Sequence, residues 1–306
     1  MSPLNLLLAL TPSLIFGVCA PIQLWLGGDA RQRLVGTTVG GFLLTLVVAP
    51  FMAVSLSAGQ FAIGILTGVI LAAGTFYQVN AYRFLGMTRT LPMSSGGQLI
   101  GMAAGGVLLF HEWRAPGALP AGAVGIVVII VGIAAMGWTE RDETDRFRPN
   151  WRMGGPMLVA GIVCLCAYLL IQQAVGLGGR EVMLPQAIGY FVAGFIVTMP
   201  RLSPWEGMTD TRFSFETVKQ LLIGVMWAGG ILVIQLSMAV NGVAVGFTLS
   251  QLGIILSTIL GIVFLGETRT RKEAWTTALG VALIVGGAVL IGVAKGLDAG
   301  AGAVAG

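Results

Sequence analysis

Ten apolar runs, each about as long as a bilayer's hydrocarbon core is thick, constrain this chain more than any other feature. They cover approximately residues 4–25, 34–55, 60–82, 91–110, 118–138, 154–176, 183–200, 217–239, 243–265 and 274–294, with charged or turn-forming breaks between them. Backbone amides in hydrocarbon must find partners within their own segment, so a helix is the form each run can take. The charge content agrees. Only 10% of the residues are charged and 56% are hydrophobic, with a mean hydropathy of +0.90, whereas a soluble domain carries roughly 25% charge. So few charges cannot cover a water-soluble surface, which excludes a soluble enzyme. The net charge of +4 is too small and too scattered over loops to mark a nucleic-acid binder. The predicted fold class is an all-α polytopic membrane protein with ten transmembrane helices.

The first run has no basic residues ahead of it, so it reads as a retained helix rather than a cleaved signal peptide. A lipid-attachment reading at Cys19 fails because Val18 stands where a small residue is required. Cys19, Cys164 and Cys166 all lie in apolar runs and read as small buried hydrophobes. No metal site is expected, because the ligands for one are missing.

Orientation follows from the basic residues in short loops. Of 17 such residues, only Arg114, Arg180 and Lys295 fall in even-numbered loops or the tail. The others, from Arg31 and Arg33 through Arg83 and Arg89 to Arg269, Arg271 and Lys272, fall in odd-numbered loops. The expectation is a multi-pass protein of the cell membrane with odd loops cytoplasmic and both termini outside.

An internal repeat divides the chain. A shift of 156 residues aligns Gly68 with Gly224, Gly74 with Gly230, Gly86 with Gly242 and Ser94 with Ser250, and a shift of 155 aligns Glu112 with Glu267. The expected organisation is a first five-helix repeat over 1–138, a cytoplasmic linker loop over 139–152, a second repeat over 153–295 and a disordered Gly/Ala-rich tail over 296–306. Five spans per repeat force the two halves into opposite orientations, the inverted arrangement of secondary transporters, whose substrate sites lie between repeats. The pairs Gly36/Gly40, Gly64/Gly68 and Gly101/Gly105 have the spacing that lets helix backbones approach closely in lipid.

No charged residue falls in the middle of a predicted span, which points to a neutral cargo. The spans instead carry amides, hydroxyls and indoles: Gln78 and Asn80; Ser94 and Gln98, four apart on one face; Gln186; Trp227 and Gln235; Ser250 and Gln251. Each amide can be satisfied by an interhelical hydrogen bond, but as a set they suggest a shared polar cavity. Amides offer both donor and acceptor to vicinal hydroxyls, and an indole offers a flat face to the C–H side of a pyranose. His111, the only histidine, together with Glu112 and Glu267 forms the set of candidates for proton coupling. Each can equally serve as an interfacial anchor or helix cap. A membrane serine protease is excluded by the distance along one helix between Ser94 or Ser95 and His111.

These residues carry a family resemblance. The stretches Gly36-Thr37-Thr38, Gly86 through Gln98, Phe110-His111-Glu112-Trp113, Leu184 through Gly189, Trp227-Ala228-Gly229 and Gly242 through Glu267 resemble the glucose/ribose-type sugar uptake permeases of the drug/metabolite transporter superfamily. The resemblance implies two inverted five-helix repeats, with spans 1–4 and 6–9 around the cavity and spans 5 and 10 peripheral. It implies proton-coupled uptake of a monosaccharide and a pocket that includes Gln78, Arg89, Ser94, Gln98, Gln186, Trp227, Ser250 and Gln251, with Arg89 at the cytoplasmic mouth. The stretch Gly74 through Asn80 departs from that pattern, with Thr75, Phe76 and Tyr77 where Gly-Gln and small residues are expected. The expected function is therefore import of a neutral, glucose-like monosaccharide by a carrier with no enzymatic activity and no cofactor. Its partners are the sugar, protons and the bilayer, and no nucleic acid. The alternatives are an exporter of drugs or metabolites on the same fold and a non-transporting sugar sensor.

Overall fold

A computed structural model describes residues 3–52, 55–111, 113–138, 149–177, 179–202, 207–241, 250, 252–265 and 270–304. Among these the chain is all-helical, with no strand. The helices are α1 (Pro3–Trp25), α2 (Ala30–Val48), α3 (Ala58–Leu85), α4 (Met87–Leu109), α5 (Ala118–Gly137), α6 (Trp151–Ala174), α7 (Gly179–Val197), α8 (Phe215–Asn241), α9 (Gly253–Leu265) and α10 (Arg271–Val304), with a 3-10 turn at Ala49–Met52 after α2. Among the described residues, six segments are long and apolar enough to cross a membrane: Ala30–Phe51, Ala58–Leu85, Ala118–Met136, Trp151–Ala174, Phe215–Ile234 and Arg271–Ala294. Leu10–Trp25 is a shorter apolar helix.

Several helices begin earlier than their apolar runs, because polar caps satisfy the first turn. Asp29 accepts from Gln32 N at 2.9 Å while the Gln32 side chain bonds Asp29 N, so α2 starts at Ala30. Ser57 and Gln60 close the same reciprocal box ahead of α3. Thr270 and Glu273 do so for α10, with Glu273 N donating to Thr270 Oγ1 and Thr270 N to Glu273 Oε2. At its other end α10 runs through Val304, so residues 296–304, expected to be disordered, continue the helix. Gly86, at φ 78°, ends α3 and begins α4, a backbone angle that suits glycine.

The helices meet where glycine removes the side chain. A Cβ on Gly40 would stand 2.1 Å from Leu221 O, and one on Gly68 would stand 2.1 Å from Gln186 O. All three glycine pairs flagged in the sequence lie at such contacts: Gly36/Gly40 bring α2 onto α8, Gly64/Gly68 bring α3 onto α7, and Gly101/Gly105 seat Cys166 and Leu170 of α6 against α4. Outward faces are apolar and exposed, as at Val127, Val163, Val218 and Val263. This inverts the pattern of a soluble bundle and suits lipid.

Candidate functional site

The site is built around α3 and α4, which the turn at Gly86 folds against each other. Ser94 on α4 is almost fully buried. Its hydroxyl oxygen accepts Gln78 Nε2 of α3 at 2.9 Å and Gln98 Nε2, one turn along α4, at 3.2 Å. Three predicted residues thus form one cluster. Both glutamines are half-buried, and the bonds to Ser94 use their amide nitrogens. Neutral donors and acceptors without a net charge are suited to hydroxyls rather than ions.

Aromatic rings pack in the core that α3 shares with α6 and α7. Trp227 of α8 is half-buried and packs on Tyr190 of α7, with ring centroids 5.6 Å apart and planes tilted by 31°. Tyr77, next to Gln78, sits edge-on to Phe76 at 5.8 Å. Tyr77 and Trp227 both pack against the core formed by Phe76, Tyr168 and Tyr190.

The other predicted residues are distributed elsewhere. Gln186 joins a second polar cluster, in which Gln172 Nε2 of α6 bridges Thr67 Oγ1 at 3.1 Å and Gln186 Oε1 at 3.0 Å. Thr67 precedes Gln78 by 11 residues on α3, roughly 16 Å along the helix, so Gln186 and Gln78 occupy different levels. Asn80 is fully buried and donates to Phe76 O at 2.8 Å. Two residues past Gln78, it faces the opposite side of α3. Ser250 is buried just ahead of α9. Gln235 lies on α8. Glu112, Gln251 and Glu267 lie outside the described residues. His111 is exposed after the end of α4, in a left-handed backbone conformation at φ 56°.

Arg89 has a partner that the sequence reading missed. It lies in the first turn of α4, 4% exposed, and its Nη2 meets Glu273 Oε1 of α10, 1% exposed, at 3.3 Å. Glu273 is the one fully buried carboxylate among the described residues. The signal that could have found it is Thr270-x-x-Glu273, the capping-box spacing at the start of an apolar run. A second loop clamp is equally sealed. Arg31, at 0% exposure, donates to Thr209 O at 2.8 Å and Gly207 O at 2.6 Å, while Gln32 donates to Ser214 Oγ at 2.8 Å. Beside it, a cleft of about 470 Å³ opens between the α1–α2 turn and the end of α3, with Asp29, Arg33, Tyr82 and Arg83 in its wall. Tyr82 lies one turn past Gln78 on the same face of α3, so the cleft adjoins the helix surface that carries the amide cluster. Among the described residues, no three His, Cys, Asp or Glu side chains gather as a metal site would require.

Residues 7–294 match the model of a family described as sugar transport protein. The chain is 32% identical over 293 residues to a protein of Bacillus subtilis (strain 168) named glucose uptake protein GlcU, covering 95% of this chain and 99% of that one. It is 33% identical over 298 residues to a putative sugar uptake protein, lmo0176, of Listeria monocytogenes, covering 96% of this chain and 100% of that one. One solved crystal structure shares the fold, with a TM-score of 0.60 at 18% identity, covering 94% of this chain and 96% of that one.

Proposed function

The chain belongs to the sugar transport protein family, and we propose that it imports a neutral, glucose-like monosaccharide by proton symport with alternating access. The observation that carries this reading is the neutral, half-buried Gln78–Ser94–Gln98 cluster. Gln78 and Gln98 hydrogen-bond the sugar hydroxyls, and Trp227 lies against the ring's C–H face. Gln186, Gln235, Ser250 and Gln251 complete the pocket in other positions of the cycle, Asn80 supports α3 behind Gln78, and Arg89 sits at the cytoplasmic mouth. The name of the Bacillus subtilis relative supports a glucose-like cargo.

Ten transmembrane helices in two inverted five-helix repeats are part of this reading, and the pattern of neighbours supports them. Exchanging α1–α5 with α6–α10 turns the α2–α8 contact into α7–α3, α1–α8 into α6–α3, and α1–α9 into α6–α4, all of which occur. The pairs α2–α7, α4–α9 and α5–α10 map onto themselves. Such pairing lets one half rock against the other around a fixed site. Odd loops face the cytoplasm and both termini face outside. His111, Glu112 and Glu267 are the coupling candidates, and Glu273 joins them as a buried carboxylate.

The test is uptake of labelled glucose, ribose and rhamnose into proteoliposomes, with and without an inward proton gradient. Uptake of one sugar, concentrated by the gradient, is the expected result. Binding without counterflow would instead identify a sensor, and gradient-driven efflux of apolar cations an exporter. Equal uptake with and without the gradient would remove proton coupling.

A further inference from the structure

The Tyr190 hydroxyl is sealed from solvent and has no hydrogen-bond partner. Tyr190 sits on α7 at 3% exposure. A buried hydroxyl without a partner is costly, and a native structure that keeps one usually has a use for it. The surroundings indicate the use. The Thr75 hydroxyl of α3 lies close to Tyr190 and donates to Leu71 O at 2.9 Å; its oxygen keeps acceptor lone pairs, but it does not reach hydrogen-bonding geometry with the Tyr190 hydroxyl. Thr75 precedes Gln78 by three residues on the same face of α3. The Trp227 ring lies 5.6 Å from the Tyr190 ring. Tyr190 thus packs on the indole with its ring and lies close to the α3 face that continues to Gln78.

Arg89 Nε and Gln220 Oε1, also buried without a partner, belong to side chains otherwise engaged at helix ends. Tyr190, by contrast, packs on the half-buried ring of Trp227.

We propose that Tyr190 is a substrate-contacting, specificity-setting residue: its hydroxyl donates to one ring hydroxyl of a monosaccharide lying against Trp227. This rests on the sugar-uptake reading. Because the oxygen is enclosed without sugar, Trp227 and Tyr190 must part to admit the ring. The sugar then supplies the acceptor that the protein lacks, and a sugar without that hydroxyl, or with it on the other face of the ring, leaves Tyr190 unsatisfied.

The experiment compares the full chain with Tyr190→Phe, using glucose and its monodeoxy analogues. Binding is read by calorimetry, transport by counterflow in proteoliposomes, and stability by thermal unfolding with and without sugar. The expected result is that Tyr190→Phe binds glucose about tenfold more weakly and binds one deoxy analogue as the unaltered protein does. Sugar-free stability should be unchanged or raised, because no bond is lost, and the glucose-induced thermal shift should shrink. Thr75→Val controls for a structural pairing and should leave the order of analogue affinities intact. Unchanged affinities for every analogue in Tyr190→Phe would overturn the inference, as would a loss of sugar-free stability matched by Thr75→Val. If the unaltered protein neither binds nor moves any sugar, the uptake reading fails and this inference fails with it. If uptake is normal and the analogue ratios do not move, only the Tyr190 assignment fails.

Discussion

The guanidinium of Arg89 and the carboxylate of Glu273 meet at 3.3 Å across a space almost closed to solvent, tying the first turn of α4 to the first turn of α10. The two helices belong to opposite halves of the chain, 184 residues apart. A pair so placed contributes little net stability, because desolvation offsets the attraction, but removing one partner strands a buried charge. Glu273 also accepts from Thr270 N and so holds the α10 cap as well.

Replacing either partner singly, as Arg89→Met or Glu273→Leu, should therefore destabilise the protein by about 3 kcal/mol or more. The double replacement should recover much of that loss, because no charge is left unpaired. Thermal unfolding of the three variants in one detergent checks this. A double variant no more stable than the singles would show that the capping role of Glu273, rather than the pair, dominates.

Much of this arrangement was legible in the residues. The apolar runs marked the helices, and the three glycine pairs marked contacts on α8, α7 and α6. Ser94 and Gln98 were read as sharing a face, and both belong to the amide cluster. Glu273 escaped because it lies in Thr-Arg-Thr-Arg-Lys-Glu, a stretch whose hydropathy reads as loop, while the cap that makes it helical depends on one spacing. Tyr190 escaped because a tyrosine inside an apolar run looks like core, and only three-dimensional packing reveals an unmatched hydroxyl. Gln186 was grouped with Gln78 on residue type. Which level of the bundle an amide reaches depends on how far each helix slides against its neighbour, and periodicity carries no information about that.

Ser94 is the acceptor for two glutamines, so Ser94→Ala should disturb both. Two amide donors lose their partner at once, at about 1 kcal/mol each before relaxation. Sugar affinity should fall about tenfold as Gln78 and Gln98 lose their fixed orientation. Ser94→Thr, which keeps the oxygen, should retain more affinity than the alanine variant. Calorimetry on the two variants decides it.

The Asp210–Arg212 pair in the α7–α8 loop sets a bound on pH effects. Hydrogen bonds from Arg212, at 2.6 Å and 2.8 Å, pull the Asp210 carboxyl down to about 2 from its usual 3.8. A lowered carboxylate stabilises the fold fully above its ordinary value, and that contribution is lost as pH falls through the lowered one. The pair is partly exposed, so its worth is less than about 1 kcal/mol. Asp210→Asn should then shift unfolding by a constant small amount between about pH 5 and pH 8, and the two curves should converge only below about pH 4. The pH profile of uptake should match that of the unaltered protein. A changed profile would mean that this loop takes part in coupling.

Gly68 tests whether close approach of α3 and α7 matters to the working protein. A Cβ there would stand 2.1 Å from Gln186 O and 2.7 Å from Tyr190 N, both backbone atoms that cannot turn aside. Gly68→Ala must push the helices apart, at a cost of about 1–3 kcal/mol or more. Because α7 carries Gln186 and Tyr190, the displacement should also weaken sugar binding. Gly155, also helical, has nothing within 4 Å of its would-be Cβ. Gly155→Ala should be neutral or stabilise by up to about 1 kcal/mol through helix propensity. Measured side by side, the two alanines separate the effect of contact from that of propensity. Equal thermal shifts in the two would mean that α3 and α7 slide apart freely at this crossing, and close packing there would then have no part in positioning the site.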